Sequence, residues 1–442
     1  MIDIVKVLYL IISIPAAIYC FKKYRLSAVT IFLFMQILMF VGIMLAPKAA
    51  TEVGQKLIVI YLFALVCFLL GVGFRSKFAT KADIKYKKLL ASKEIESPSV
   101  SMRSSEYNYV SSDVMLTSDK RPWQNFVIKI IVAVSILACV YFFLAAGMNV
   151  FVESMKNFIS GENQNLADDR EGYFGVSGMG YIYQFRVVLL PILTAYLVLA
   201  TKTKAWIKLS LSILMLIFLL GTGQRNAFVF FVAIVIIYWV SLPKSDRHIS
   251  KTIIGAFGAF AILAMVVLTI ANGRVSSDSD NMIVGAIKSL IDRVLFVNQK
   301  TAHTAFNYIN TQPTVWGYDW WMMMMDILPG KSGYLSVDRI VFYISYGNYS
   351  GTGPPCIWGS AWYNFSYLGV TLFPFILGFL YQSFYFWYKR QKTDSLKLLL
   401  YCSISFFLGI WFCGSPMNLF NNGVVTLFIL YFLLYKIKIK RE

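Results

Sequence analysis

Long apolar runs constrain the fold of this chain more than any other feature of its sequence. A helix of about 20 apolar residues spans the hydrocarbon core of a bilayer and satisfies its own backbone hydrogen bonds there. Hydrophobic residues make up 58% of the chain and charged residues only 14%, which excludes a soluble globular enzyme. The sequence predicts an all-α, polytopic integral membrane protein with about eleven transmembrane helices, at 4–21, 27–46, 56–74, 126–147, 184–200, 206–221, 226–242, 252–270, 366–388, 397–413 and 423–437.

Basic residues between these runs predict how the helices are oriented. The net charge is +19, and 27 of the 41 Lys and Arg residues fall on one face when the eleven helices alternate in direction. Lys and Arg accumulate on the cytoplasmic side of membrane proteins, so this face is expected to be cytoplasmic and the N-terminus to lie outside. Because the cations lie in loops between the apolar runs, as in membrane proteins, no nucleic-acid partner is expected.

The predicted topology divides the chain into segments. These are helices 1–3 at 1–74, a basic cytoplasmic loop at 75–125, helices 4–8 at 126–270 with an outer loop at 148–183, a large outer loop at 271–365, and helices 9–11 with a cytoplasmic tail at 366–442. Both long outer loops are candidates for carrying function, because binding residues are concentrated on loops that a rigid scaffold positions. We therefore expect the chemistry at the outer face.

Arginine residues near the outer helix ends are candidates for binding an anion. A guanidinium stays ionised and its planar fork matches phosphate oxygens, which suits a lipid-linked phosphate or pyrophosphate. The alternative for each of them is snorkelling to lipid head groups. No phosphate-binding loop followed by Lys-Ser or Lys-Thr is present, so an ATP-driven reaction is not indicated. The candidates are Arg170, Arg186, Arg225, Arg274, Arg293 and Arg339.

Arg225 stands out because it ends a tight turn between two apolar runs. The turn begins at Gly221 and contains Gly223, and the next helix is predicted to start at the arginine. Arg186 lies in the opening turns of its apolar run, where burial would require an anionic partner from the preceding loop or a ligand.

A general base at the outer face would be a carboxylate or a histidine. His303 is the only outer histidine, and its alternative is a purely structural role. The carboxylates of the first loop have the alternative of a solvated surface. The acidic candidates are Asp168, Asp169, Glu171, Asp319, Asp326 and Asp338.

An aromatic run from Trp316 to Trp321 precedes four methionines. This pattern is typical of an interfacial amphipathic helix, and the alternative is a platform on which sugar rings stack.

The six Cys residues show neither a disulfide framework nor a zinc spacing, so we expect no metal and no cofactor.

Several of these segments resemble one family, the bacterial O-antigen polymerases, also called oligosaccharide repeat-unit or Wzy-type polymerases. Arg274 and Gly285 resemble the Arg-x10-Gly pattern of its outer loops, and the turn from Gly221 to Arg225 is similar to its turn between middle spans. The segments Trp316-Gly317-Tyr318, Ile327-Leu328-Pro329, Gly351-Thr352-Gly353-Pro354-Pro355, Gly359 to Phe365 and Leu368-Gly369 resemble its closing region. Ser360 replaces the usual acidic residue and Ser366 a usual glycine, so no role of that acidic residue is carried over.

The resemblance implies a membrane glycosyltransferase of GT-C type in the bacterial inner membrane, with its active site facing the periplasm. Undecaprenyl-pyrophosphate-linked oligosaccharides would be donor and acceptor, and a chain-length regulator and a flippase would be partners in surface polysaccharide synthesis. The catalytic residues would be Arg225, Arg274, Arg186, His303 and Asp169, and the substrate-binding residues Arg170, Arg293, Arg339, Gly223, Gly285, Tyr363 and Asn364.

Two alternatives remain. A lipid-linked oligosaccharide flippase or other transporter would have more charges within its spans and shorter outer loops. An O-antigen ligase would use the same donor with similarly placed arginines, and only the closing region separates it from a polymerase.

Overall fold

The described part of the chain is helical throughout and contains no strand. The computed structural model describes residues 2–96, 122–147, 179–201, 203–222, 225–242, 281–328, 333–349, 351–391, 394–411 and 414–436, with isolated positions within 149–160 and 255–270. The helices are α1 (Ile2–Tyr24), α2 (Ala28–Leu45), α3 (Glu52–Glu96), α4 (Pro122–Ala146), α5 (Met179–Tyr183), α6 (Leu190–Ala200), α7 (Ala205–Leu220), α8 (Arg225–Ser241), α9 (Met282–Asp292), α10 (Asn298–Ile309), α11 (Tyr318–Met325), α12 (Val337–Tyr346), α13 (Ile357–Lys389), α14 (Ser395–Gly409), α15 (Met417–Asn421) and α16 (Val424–Tyr435). Two π-helical segments, Gln184–Leu189 and Arg293–Val297, join α5 to α6 and α9 to α10.

Length and composition identify membrane-spanning helices in this fold. Among the described residues, six helical stretches are long and apolar enough to cross a bilayer, namely Ile2–Tyr24, Ala28–Leu45, Glu52–Ala79, Trp123–Ala146, Gly180–Ala200 and Ile357–Lys389. The shorter apolar helices α7, α8, α14 and α16 coincide with further predicted runs. α1 leaves large apolar side chains exposed, such as Ile4 at 71% and Ile11 at 62%. In the part of the chain that the structure describes, these helices are those of a helical, multi-pass membrane protein, as the apolar runs predict, while the total of eleven spans stays a prediction.

The most extensive helix packing in the described structure joins α3 to α13. A Cβ atom on Gly71 would lie 2.0 Å from the carbonyl oxygen of Phe375, and one on Gly378 would lie 2.2 Å from that of Phe68. Small residues therefore let the two backbones approach closely, as is common between membrane helices. Around this pair, α2 packs against α1 and α14, and α14 also contacts α8 and α16.

The connections between helices lie at two opposite ends of the bundle, and hydrogen bonds show which connections meet at each end. At one end, which we call the cap end, Lys56 Nζ at the start of α3 donates to Asn310 Oδ1 at 2.6 Å. At the opposite end, which we call the basic end, the hydroxyls of Tyr24 and Ser76 are hydrogen-bonded at 3.0 Å. The basic end carries Lys22, Lys23, Arg25, Arg75, Lys389 and Arg390. Connections predicted to share a face thus meet in space, while the side of the membrane that each end faces stays a prediction.

The helices α9 to α12 lie at one end of the helix bundle, and we call this segment the cap. Within it, α10 packs against α12. Its small core contains Ala305, Ile309, Val337 and Val341, and Tyr363 from α13 completes it. His303 on α10 reaches the end of α2, so the cap is joined to the membrane helices by buried contacts.

Two element boundaries differ from the predicted ones. α3 continues to Glu96, into the predicted basic loop, because the segment from 80 contains many good helix formers such as Ala, Lys and Leu. α13 begins at Ile357, before the predicted span at 366–388, and is kinked at Ser366, whose backbone angles are φ 50° and ψ −129°. The predicted start of that span therefore coincides with a kink inside a longer helix.

Candidate functional site

Asp319 lies at the start of α11 and is completely buried. A turn with positive φ at Trp316 and Gly317 precedes α11 and directs its first residues into the cap. One carboxylate oxygen, Oδ1, accepts hydrogen bonds from the Tyr334 hydroxyl at 3.0 Å and from the Val337 amide at 3.1 Å. Burial raises the pKa of Asp319, and these two hydrogen bonds act in the opposite direction.

Asp338 lies in the first turn of α12, directly after Val337, whose amide binds Asp319. Asp319 and Asp338 therefore form a buried pair. Asp338 is only 6% exposed, and its Oδ1 atom has no hydrogen-bond partner among the described residues. Burial raises the pKa of Asp338 to about 8, and the negative charge of Asp319 contributes to the increase. A carboxyl group that titrates near neutral pH is suited to general base catalysis.

Residues of α13 fix α11 in this position. Asn364 Oδ1 accepts from the Trp320 amide at 3.2 Å, and the Trp320 indole Nε1 donates to Ser360 Oγ at 2.8 Å. The backbone of Tyr363 accepts from the Val315 amide at 3.1 Å. The structure therefore brings together the aromatic run and the closing segment, which are separate in the sequence. Asn364 is fully buried and holds α11 in place, and Tyr363 packs in the cap core.

The opposite side of α11 presents aromatic rings to the surroundings. Trp316 is 71% exposed, and Tyr318 and Trp321 are more than half exposed. Asp319 lies among these residues in the sequence but points into the cap. Both interpretations of the aromatic run, an interfacial helix and a sugar platform, fit this exposure.

Arg186 lies in the π-helical segment before α6 and is 3% exposed. One guanidinium nitrogen donates to the carbonyl oxygens of Phe218 and Leu219, each at 3.2 Å, and these belong to the last turn of α7. Carbonyls at a helix C-terminus lack intrahelical partners and carry partial negative charge, so they stabilise a buried cation. The structure thus supplies partners that the sequence did not indicate, and it places Arg186 beside the turn that ends in Arg225.

The turn itself contains a further polar group. Thr222 is buried, and its hydroxyl has no partner among the residues that the structure describes. The backbone of Arg225 begins α8. The side chain of Arg225, and Gly223 as a whole, lie outside the described residues.

Contacts at the cap end connect the Arg186 region with the carboxylate pair. The Tyr181 hydroxyl donates to the carbonyl oxygen of Ile327, directly after α11, at 2.6 Å. Gln184 Nε2 donates to the carbonyl oxygen of Phe420 in α15 at 3.0 Å, and α15 packs against α11. These contacts link the segment of Arg186 to α11, the helix that carries Asp319, directly through Tyr181 and indirectly through α15.

His303 occupies a different place from the one expected of a base. It is 2% exposed, and its Nε2 atom lies 2.9 Å from the carbonyl oxygen of Ile43. Since a carbonyl can only accept, the ring donates this hydrogen bond and links α10 to the end of α2. Burial lowers the pKa of His303, and the charge of Lys48 acts in the same direction. The geometry describes a structural histidine, although its predicted catalytic role stays untested.

The remaining predicted residues are dispersed. Arg293 and Arg339 are exposed on the cap, and Gly285 is buried in α9. Arg274, Asp169 and Arg170 lie outside the described residues. No group of three or more His, Cys, Asp or Glu side chains suited to a metal occurs in the described part of the chain.

Sequence reasoning found Asp319 and Asp338 only as two of several carboxylates and missed that they form a pair. Nothing in the local pattern distinguishes them from Asp326, because their burial depends on contacts with Tyr334 and α13. An Asp in the first turn of each of two cap helices is the one weak signal.

Comparisons with known proteins give no match to a family model, to a curated protein or to a solved structure.

Proposed function

We propose that this protein is a membrane glycosyltransferase that polymerises lipid-linked oligosaccharides, as an O-antigen polymerase does. The observation that carries the proposal is the buried pair of Asp319 and Asp338 in the cap, connected through α11 and α15 to the region of Arg186 and the turn before Arg225. A general base and an anion-binding region at one membrane face are what transfer from a lipid pyrophosphate requires.

In the proposed reaction, Asp338 accepts the proton of the acceptor sugar hydroxyl. The hydroxyl oxygen forms a bond to the anomeric carbon of the donor glycan, and the bond from that carbon to the phosphate oxygen breaks. Undecaprenyl pyrophosphate leaves with the electron pair of that bond. Hydrogen bonds from Tyr334 and the Val337 amide favour the ionised form of the neighbouring Asp319. Burial, and after it the charge of Asp319, raises the pKa of Asp338 and so makes it a stronger base.

The arginine region would bind the leaving pyrophosphate. The amides at the start of α8 favour an anion, and Arg225 begins that helix. Arg186 contributes a buried positive charge beside the same turn, at the end of α7. Negative charge on the pyrophosphate grows as the glycosidic bond breaks, so positive groups here stabilise the transition state.

The direct test uses the purified chain in proteoliposomes with undecaprenyl-pyrophosphate-linked repeat units. Wild-type protein should form a ladder of longer glycans, with a rate that rises with pH around a midpoint near 8. Asp338→Asn should abolish the ladder, whereas Asp292→Asn, which changes an exposed carboxylate of the same cap, should leave it intact. A ladder of normal rate from Asp338→Asn would refute the assignment of the base.

A cell-based assay separates the proposal from its alternatives. A deletion strain should make lipopolysaccharide with a single repeat and no ladder if the chain is a polymerase. Loss of every attached repeat would instead indicate a ligase or a flippase. Accumulation of lipid-linked repeats on the cytoplasmic side would identify the flippase.

A further inference from the structure

An open surface cavity at the basic end is lined by three aromatic rings, one arginine and one serine. Its volume is about 490 Å³, and its lining consists of Phe74, Arg75, Phe78, Phe379 and Ser383. It lies between α3 and α13, whose packing is the most extensive in the described structure. It is at the opposite end from the carboxylate pair, so it plays no part in the proposed reaction.

Arg75 is held firmly in this cavity. Its Nε atom donates to Ser383 Oγ at 2.8 Å, and its guanidinium lies 5.9 Å from the ring centre of Phe379 and 5.5 Å from that of Phe386. These contacts orient a planar cation whose shape matches phosphate oxygens.

The position of Arg75 along α3 places it at the level of lipid head groups. The apolar run from Leu57 to Phe74 in α3 contains no charged residue and is long enough to cross the hydrocarbon core, and Arg75 follows it directly. Phe74 and Phe78 flank Arg75 and are about half exposed, so their rings face the lipid. A phospholipid whose phosphate binds Arg75 would therefore place its acyl chains against the phenylalanine rings.

We propose that this cavity binds one anionic phospholipid, with its phosphate on Arg75 and its acyl chains against Phe74, Phe78 and Phe379. Charge complementarity supports the occupant, because Lys389 and Arg390 at the end of α13 add to the positive field around Arg75. The aromatic walls distinguish a phospholipid from free phosphate, since free phosphate gains nothing from apolar surface.

Native mass spectrometry of the full-length protein in detergent tests the proposal. Phosphatidylglycerol should bind as one tight adduct, and phosphatidylcholine with the same chains at least tenfold more weakly. Arg75→Gln should weaken phosphatidylglycerol binding at least tenfold, whereas Lys77→Gln, an exposed cation two residues away on the same helix, should change it less than twofold. Equal effects of the two substitutions would show a diffuse basic surface and overturn the site.

Two further measurements do not depend on the folding of the Arg75 variant. In the wild-type protein, phosphatidylglycerol with a photoreactive acyl chain should label peptides containing Phe74, Phe78 or Phe379 above those of the lipid-exposed helix α1. Even labelling of all exposed helices would contradict the proposal. Glycerol phosphate alone should compete at least a hundredfold more weakly than the lipid, and equal competition would exclude a role for the rings.

Discussion

Burial controls the ionisation of Asp338, and this has a measurable effect on stability. Its pKa is about 8 in the folded protein, against an ordinary value of 3.8, so the folded state holds an extra proton between these pH values. The resulting stabilisation is complete below pH 3.8 and is lost as the pH rises through 8. Between pH 5 and pH 8 we expect the free energy of unfolding to fall by roughly 1 kcal/mol per pH unit. The thermal unfolding temperature should fall with it.

Asp338→Asn is the variant that isolates this effect, because the amide is uncharged at every pH. It should remove this part of the pH slope and exceed the wild type in stability at pH 8. An unchanged slope in Asp338→Asn would show that Asp338 is ionised in the folded protein.

Ser366 adopts a backbone conformation that side chains disfavour. Its φ of 50° with ψ of −129° kinks α13, and glycine reaches such angles without a steric penalty. Ser366→Gly should raise stability by about 1 kcal/mol, while Ser366→Ala should give no gain because alanine has the same restriction. Thermal unfolding of both variants checks this, and an equal gain from alanine would show that the hydroxyl, not the backbone, is responsible.

Substitutions of Arg225 separate the effect of its side-chain geometry from the effect of its charge. A bidentate contact with a pyrophosphate cannot be made by lysine, so Arg225→Lys and Arg225→Ala should both lose about 2–4 kcal/mol of transition-state stabilisation, roughly 30- to 1,000-fold in rate. Glycan ladders from membranes with equal protein levels measure this. A normal ladder from Arg225→Lys would favour snorkelling and shift the phosphate contact to Arg186, Arg274 or Arg293.

At the scale of elements, two glycines of α3 give a matched pair. A Cβ on Gly71 would meet the backbone of α13 at 2.0 Å, while one on Gly73 would meet nothing within 4 Å. Gly71→Ala should force α3 away from α13 and cost about 1–3 kcal/mol, and Gly73→Ala should stabilise the helix by about 0.5–1 kcal/mol. Unfolding of the two variants in the same detergent compares them directly. Similar effects would mean that the helices do not pack as closely as described.

For the whole molecule, the orientation in the membrane is the property to test. Thr311 on the cap and Lys77 at the basic end are both exposed, and cations cluster at the basic end. In intact cells, a membrane-impermeant thiol reagent should label Thr311→Cys and not Lys77→Cys. Among the described native cysteines, Cys20, Cys139, Cys356 and Cys402 are buried, and Cys67 is half-buried within α3, so a Cys67→Ser background should be used for the labelling. Labelling of Lys77→Cys alone would invert the topology and remove the proposed reaction from the outer face.

The candidate site shows how far sequence reasoning extends. It identified Arg186 as a buried cation that needs a partner, and the partners are carbonyl oxygens of α7, 32 and 33 residues away. It selected His303 as a base, but that ring bonds to a carbonyl 260 residues away. No local pattern contains such contacts, because each depends on which helices pack together.

By itself, the sequence determined that this chain is a helical membrane protein. In lipid a backbone must satisfy its hydrogen bonds within its own segment, so each apolar run becomes a helix whatever its neighbours are. The tertiary structure alone decided that Asp319 and Asp338 meet in a buried pair and that Arg186 caps α7. Those contacts come from long-range packing, and burial in that packing changes the pKa of Asp338.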